Sequence, residues 1–175
     1  MADCFEPVER SDARVLVLGS VPGVASIEQQ RYYAHARNAF WPMMEMLLGD
    51  GSSLDYPARL DLLIDSGVAL WDVLASAMRE GSLDSAIIAG SEVPNDIVGF
   101  LDSHPYITHI FFNGAKAAVS FQRHFGKRII PGRVQLVQLP STSPANAAMN
   151  FDAKLQAWRV VVDAARVRGC LSPLL

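Results

Sequence analysis

Four short apolar runs recur along this chain: "RVLVLGS" (14–20), "VALWDVL" (68–74), "THIFFNG" (108–114) and "RVQLVQLP" (133–140). Between them lie segments of helical period. The runs carry apolar residues at odd and even positions alike, so both faces of each must be covered. Strands buried on both faces belong to a parallel sheet packed between helices. The expected fold is therefore α/β: a three-layer α/β/α sandwich with a central, mostly parallel four-stranded sheet. From Phe40 to Leu48, the residues Phe40, Trp41, Met44, Leu47 and Leu48 share one helical face, and Gly49 stops that helix. Pro57 to Ser66 reads as a second helix. Asn95 is placed to cap a third, carrying Ile97, Val98, Phe100 and Leu101. Ala115 to Phe125 reads as a fourth. Asn150 is placed to cap a last helix with the stripe Phe151, Leu155, Trp158, Val162 and Ala165.

A chain of 175 residues suits one domain, 1–175, with a full core. Half of it is hydrophobic and 19% charged, which marks an ordered chain. No apolar run reaches the ~20 residues that span a bilayer, and the start "MADCFEPVERSDAR" is too polar for a signal peptide. A cytoplasmic monomer that contacts no membrane is expected. Cys4 and Cys170 stand apart, with no CxxC, and the four histidines lack ligand spacing. No metal and no cofactor are expected. The net charge of −3 argues against strong general affinity for nucleic acid. Arg123, His124, Lys127 and Arg128 form a local basic patch, which reads first as a solvated helix end.

The unusual residues cluster after the strands. "GSVPG" follows the first run, "NG" the third and "PSTSPAN" the fourth, so all three loops leave the carboxyl ends of parallel strands. Ligands of open α/β sheets bind at that rim. "GSVPG" is neither GxGxxG nor GxxxxGK[ST], which sets dinucleotide and P-loop readings aside. In "YYAHARNAFW", Phe40 and Trp41 belong to the helix face. Tyr33 and Asn38 lie in the polar loop before it. Tyr33 offers a face on which a nucleobase can stack, and Asn38 either holds a water or a base edge or caps the helix. "NGAKA" sets Asn113 at the rim and Lys116 in the first turn of a helix, either beside an anionic partner or simply exposed. In "LPSTSPANA", two prolines stiffen a loop bearing Ser141, Thr142 and Ser143, which suits contacts to a phosphate backbone. Asp72 and Asp84 are acids near strand ends or loops. Both read first as structural, with Asp72 able to pair with Arg79.

"GSVPG", "YYAHARNAFW", "FFNGAKA" and "LPSTSPANA", in this order on this layout, resemble the uracil-DNA glycosylase superfamily. The likeness runs from about Val15 to Trp158. It is nearest to the hypoxanthine-DNA (deoxyinosine) glycosylase branch and next to the mismatch-specific uracil/thymine branch. The resemblance implies that "GSVPG" is the loop that holds the attacking water. Ser20 stands where most branches carry Asp or Asn. In the hypoxanthine branch the catalytic amide is the one before Ala-Phe-Trp, here Asn38. It further implies base contacts from Tyr33, Asn113, Ser20 and Val21. Loop and DNA-backbone contacts would come from Gly19, Pro22, Gly23, Lys116, Ser141, Thr142, Ser143 and Pro144. Leu139 stands where uracil enzymes carry His, and Ser143, Pro144 and Ala145 include no bulky wedge.

The implied activity is that of a monofunctional glycosylase. It would release a deaminated base, hypoxanthine first, from DNA and leave an abasic site for base excision repair. A mismatch-type uracil enzyme and a non-catalytic nucleic-acid-binding module are the alternatives, the latter prompted by Ser20.

Overall fold

The computed structural model describes residues 2–79, 87–88, 90–126 and 132–166. Asp84, Lys127, Arg128 and Cys170 lie outside the described residues. The elements in order are β1 (Ala2–Asp3), β2 (Val15–Gly19), α1 (Val24–Gln29), α2 (Phe40–Leu48), α3 (Tyr56–Asp65), β3 (Val68–Asp72) and β4 (Leu74–Ala77). They continue with β5 (Val93–Pro94), α4 (Ile97–Ser103), β6 (His109–Asn113), α5 (Ala115–Phe125), β7 (Gln135–Leu139) and α6 (Phe151–Arg166).

The central sheet has the order β3-β2-β6-β7, and every pairing is parallel. Strand β2 is buried along its whole length because alternate residues serve opposite cores. Leu16 and Leu18 join Ile110 and Phe112 beneath Phe100, Leu101 and Phe121 of α4 and α5. Val15 and Val17 join Leu70 and Phe111 beneath Phe40, Met43, Leu63 and Trp158 of α2, α3 and α6. That two-sided demand makes β2 apolar along its length, whereas the edge strand β7, with Gln135 and Gln138, is largely exposed, and the sandwich has the three layers expected.

The register sets the site. Gly19 pairs with Asp72, Leu18 with Phe112 and Asn113 with Leu139, so the four strands end in one row. The chain leaves β2 toward β3 on one side and leaves β6 toward β7 on the other. A crevice opens where neighbouring strands part in this way.

Three features depart from expectation. A small antiparallel sheet, β1-β4-β5, and the short helix α1 were not legible in the sequence. The cap of α4 is Asp96, whose carboxylate accepts the Gly99 N–H at 3.0 Å. Asn95 lies one residue too early for that bond. Its amide instead donates to the Asp72 carbonyl at 2.9 Å and to Cys4 Sγ at 3.2 Å. Asn150 caps α6 as expected, accepting from Ala153 N–H at 2.9 Å.

One ion cluster fastens the segment before β5 to α5. Glu92 accepts from Lys116 Nζ at 2.7 Å, Arg123 Nη1 at 2.8 Å and His124 Nε2 at 3.2 Å. Burial pushes the Glu92 carboxyl up, but the hydrogen bonds from Lys116, Arg123 and His124 outweigh it and hold the pKa at about 2. A depressed carboxylate stabilises the fold above its unfolded value of 4.5 and stops doing so as pH falls toward 2. Glu92→Gln is expected to cost about 2 kcal/mol at pH 7, allowing for the solvent screening of the half-exposed Arg123. Thermal melts against pH should show the deficit shrink between pH 4.5 and 2.

Candidate active site

A cavity of about 290 Å³ opens at the carboxyl ends of β2, β3 and β6. The "GSVPG" loop and the 141–145 loop form two of its walls, and Tyr33 and Asn38 a third. The three loops singled out by composition therefore meet in one place. Gly19, Ser20, Val21, Pro22 and Gly23 all line it, with Ser20 and Val21 buried at 9% and 7% exposure.

Tyr32 and Tyr33 divide the work of their segment. Tyr32 is a core residue. Its hydroxyl donates to the Phe5 and Glu6 carbonyls, its amide donates to Tyr56 Oη, and its carbonyl accepts from Trp41 Nε1 at 2.7 Å. Tyr33 sits in left-handed backbone, φ 53°, a conformation unfavourable for a bulky L residue. That turn presses one ring face onto Phe40, with centroids 4.2 Å apart and 32° between planes. The Tyr33 ring also lines the cavity.

Asn38 lies one residue before the N-cap of α2, which is Ala39 and has no side-chain cap, so the capping reading of Asn38 does not hold. Its Oδ1 accepts from the Phe40 N–H at 3.0 Å, a turn two residues long that leads into α2. Asn38 also lines the cavity. Turn and site are compatible, because one lone pair and both Nδ2 hydrogens remain. The Asn38–Ala39 segment is tied to the opposite wall by Ala39 N–H donating to the Thr142 carbonyl at 3.0 Å.

The 141–145 loop is rigid for reasons beyond its prolines. Trp158 Nε1 donates to the Pro140 carbonyl at 2.9 Å. Lys154, itself buried, donates to the Asn146 carbonyl at 2.9 Å, and Asn146 Nδ2 donates to the Ser141 carbonyl at 3.2 Å. Ser141 Oγ and Ser143 Oγ accept from the amides two residues on, each at 3.2 Å.

Asn113 completes this scaffold. Its Oδ1 accepts from Thr142 N–H and its Nδ2 donates to Thr142 Oγ1, both at 2.9 Å. Asn113 lines the cavity, and beyond its bonds to Thr142 one Nδ2 hydrogen and one Oδ1 lone pair remain. Thr142, 1% exposed, is a fastening point of the loop rather than an open hydroxyl for a phosphate. Ser141, Thr142, Ser143 and Pro144 all line the wall. Gly114 is required beside them: it has φ 95°, and a Cβ there would lie 2.8 Å from Ser141 Cβ. Lys116 is turned to Glu92 and is not among the residues lining the cavity.

Beyond the expected site residues, the wall includes Ala25, Ser26, Tyr32, His35, Asp72 and Ala145. Asp72, 3% exposed, ends β3 directly beside Gly19 and is the acid among the described residues that line the cavity. A Cβ on Gly19 would stand 2.3 Å from Asp72 Oδ1 and 3.1 Å from Tyr33 Oη, so carboxylate and phenol converge over that glycine. The Arg79 guanidinium donates to the Pro22 carbonyl in the same loop. An acid closing an apolar strand was the available signal for Asp72. The register that aims it into the cavity was not.

No described helix is long and apolar enough to cross a membrane. A family model described as the Uracil DNA glycosylase superfamily matches residues 7–162. The chain is 36% identical over 114 residues to a hypoxanthine DNA glycosylase of Methanosarcina barkeri, covering 65% of this chain and 71% of that protein. It is 37% identical over 114 residues, with the same shares, to a hypoxanthine DNA glycosylase of Methanosarcina acetivorans. The fold matches the solution NMR structure of a "putative Uracil DNA glycosylase" from Methanosarcina acetivorans. There the TM-score is 0.75 and the identity 29%, over 94% of this chain and 98% of that one.

Proposed function

This chain belongs to the uracil DNA glycosylase superfamily, and from that premise we propose that it excises hypoxanthine from DNA. The observation that carries the reading is the joining of Tyr33, Asn38 and two stiff strand-end loops around one cavity, in a chain whose relatives are named hypoxanthine DNA glycosylases.

A base cannot be reached inside the stack, so the nucleotide must be flipped out. Backbone of the "GSVPG" loop and the hydroxyls of Ser141 and Ser143 flank the cavity mouth and hold phosphates on either side. The base stacks on Tyr33, whose other face is already supported by Phe40. Asn38 positions a water for the anomeric carbon as the glycosidic bond lengthens and the sugar gains oxocarbenium character. A neutral amide takes up a proton poorly, so Asn38 acts by placement. The rate then rests on positioning and on stabilising the departing base. Among the described residues lining the cavity there is no lysine to form a Schiff base. The reaction therefore stops at an abasic site, with no strand nicking.

Labelled duplexes carrying one deoxyinosine or one deoxyuridine test this reading. Scission at deoxyinosine that needs alkali is the expected result. Scission confined to deoxyuridine moves the substrate to uracil, and an intact duplex that still binds favours a non-catalytic module.

A further inference from the structure

We propose that a second cavity beside the first is a subsite for the lesion strand where it leaves the base cavity, with Arg31 as its phosphate ligand; this rests on the DNA-glycosylase reading above. The second cavity has a volume of about 220 Å³, and Arg31, His35, Trp41, Tyr56 and Arg59 are among its walls. Tyr32, Tyr33, His35 and Asn38 line both cavities, so the two share one wall.

The charge of this second cavity is one-sided. Two arginines line it, and there is no Asp or Glu among its described lining residues. Each arginine lies over an aromatic ring of the same cavity. The Arg31 guanidinium carbon stands 5.3 Å from the Tyr56 ring centroid, and that of Arg59 stands 5.6 Å from the Trp41 ring. Stacking on a ring orients a guanidinium and leaves its edge N–H groups for other partners. The Tyr56 platform is itself fixed, because Tyr56 Oη accepts from the Tyr32 N–H at 2.9 Å. The two arginines differ in what they already bind. Arg59 Nε donates to the buried Glu45 carboxylate at 2.8 Å, which balances its charge. Among the described residues no carboxylate pairs with Arg31.

His35 stands where the two cavities meet. Its Nδ1 accepts from the Arg37 N–H at 3.1 Å. A backbone N–H only donates, so the ring hydrogen lies on Nε2, a further donor for an anionic oxygen.

A basic groove with aromatic walls suits a nucleic-acid strand. The net charge of −3 supplies no general field to draw phosphates in, so a local, unbalanced arginine has to do it. The strand whose base enters the first cavity passes the wall that carries Tyr33 and Asn38, and beyond that wall lies Arg31. The guanidinium fork matches two oxygens of one phosphate.

Binding tests this by fluorescence anisotropy across a series of salt concentrations. The labelled duplex carries one 2′-fluorinated deoxyinosine, whose fluorine disfavours an oxocarbenium-like sugar and slows base loss. Wild type, Arg31→Gln, Arg31→Lys and Arg37→Gln are compared, with thermal melts of each. Arg37 is exposed and lines neither cavity. Arg31→Gln should weaken binding at least about fivefold at low salt. It should also flatten the slope of log affinity against log salt by about 1. Arg31→Lys should keep the slope, and Arg37→Gln should change affinity less than about twofold. A neutral methylphosphonate at one lesion-strand phosphate close to the deoxyinosine should weaken wild-type binding as much as Arg31→Gln does. It should weaken the variant no further. Should Arg31→Gln melt early, the same cycle is read with Arg31→Lys, which loses the fork and keeps the charge. Equal losses from Arg31→Gln and Arg37→Gln would overturn the assignment, because a diffuse surface charge would explain both. So would full additivity at every lesion-strand phosphate, or coupling to the complementary strand alone. Base release from plain deoxyinosine duplexes separates the two readings. Arg31 coupling without base release keeps the subsite and removes the proposed function. Release of hypoxanthine without Arg31 coupling keeps the function and removes the subsite.

Discussion

Asn38→Ser will lower kcat on a deoxyinosine duplex by at least about 100-fold while melting within a few degrees of the wild type. Asn38 does two things that one substitution can separate. Its Oδ1 accepts from the Phe40 N–H in the turn that leads into α2, and Asn38 lines the cavity. A serine hydroxyl can accept the same N–H two residues on, whereas alanine leaves it without that acceptor, at a cost of about 1 kcal/mol. Asn38→Ala should therefore lose both activity and stability, and Asn38→Ser activity alone. In the proposed mechanism the amide acts on a water in the transition state, so kcat should fall and KM change little. Single-turnover rates beside melting temperatures check this. A serine variant with wild-type kcat would leave Asn38 only its turn before α2.

Gly19→Ala is expected to reduce kcat/KM by about 1,000-fold for a single added methyl group. The new Cβ would stand 2.3 Å from Asp72 Oδ1, a separation that cannot persist. The Asp72 backbone is fixed by its neighbours, so the carboxyl must rotate. Tyr33 Oη, 3.1 Å from the same point, is crowded with it. Overpacking of this kind costs about 1–3 kcal/mol in stability. Misplacing a binding group by about 1 Å can cost about 100-fold in rate, and here two groups of the cavity wall, the Asp72 carboxyl and the Tyr33 phenol, move together. Steady-state kinetics and a melt decide. A variant within about threefold of wild-type kcat/KM would show that neither group needs its position.

The layers of the fold were legible because β2 must serve two cores at once, which makes it apolar at every position. The small sheet β1-β4-β5 was not legible. Its strands are two to four residues long and come from distant parts of the chain, so no period develops. Loop composition placed the cavity correctly at the strand ends. Roles within it were harder to read, because they depend on what else each polar group already bonds. Asn113 carries the right chemistry for a base edge and lines the cavity, and its bonds to Thr142, 29 residues on, take one site at each end of its amide. Lys116 carries the right charge for a phosphate, yet Glu92 holds it. Asp72 was weighed as a structural acid because its exposure to the cavity comes from the register with Gly19, and nothing local to "LWDVL" shows that register.

The central claim is that this cavity releases a deaminated purine. The most direct measurement is of the released base itself. Purified protein would be incubated with a deoxyinosine duplex, and the small-molecule fraction analysed by chromatography and mass. The account predicts free hypoxanthine in step with alkali-labile sites, and neither from a matched deoxyadenosine duplex. A bound duplex that yields no free base would contradict it.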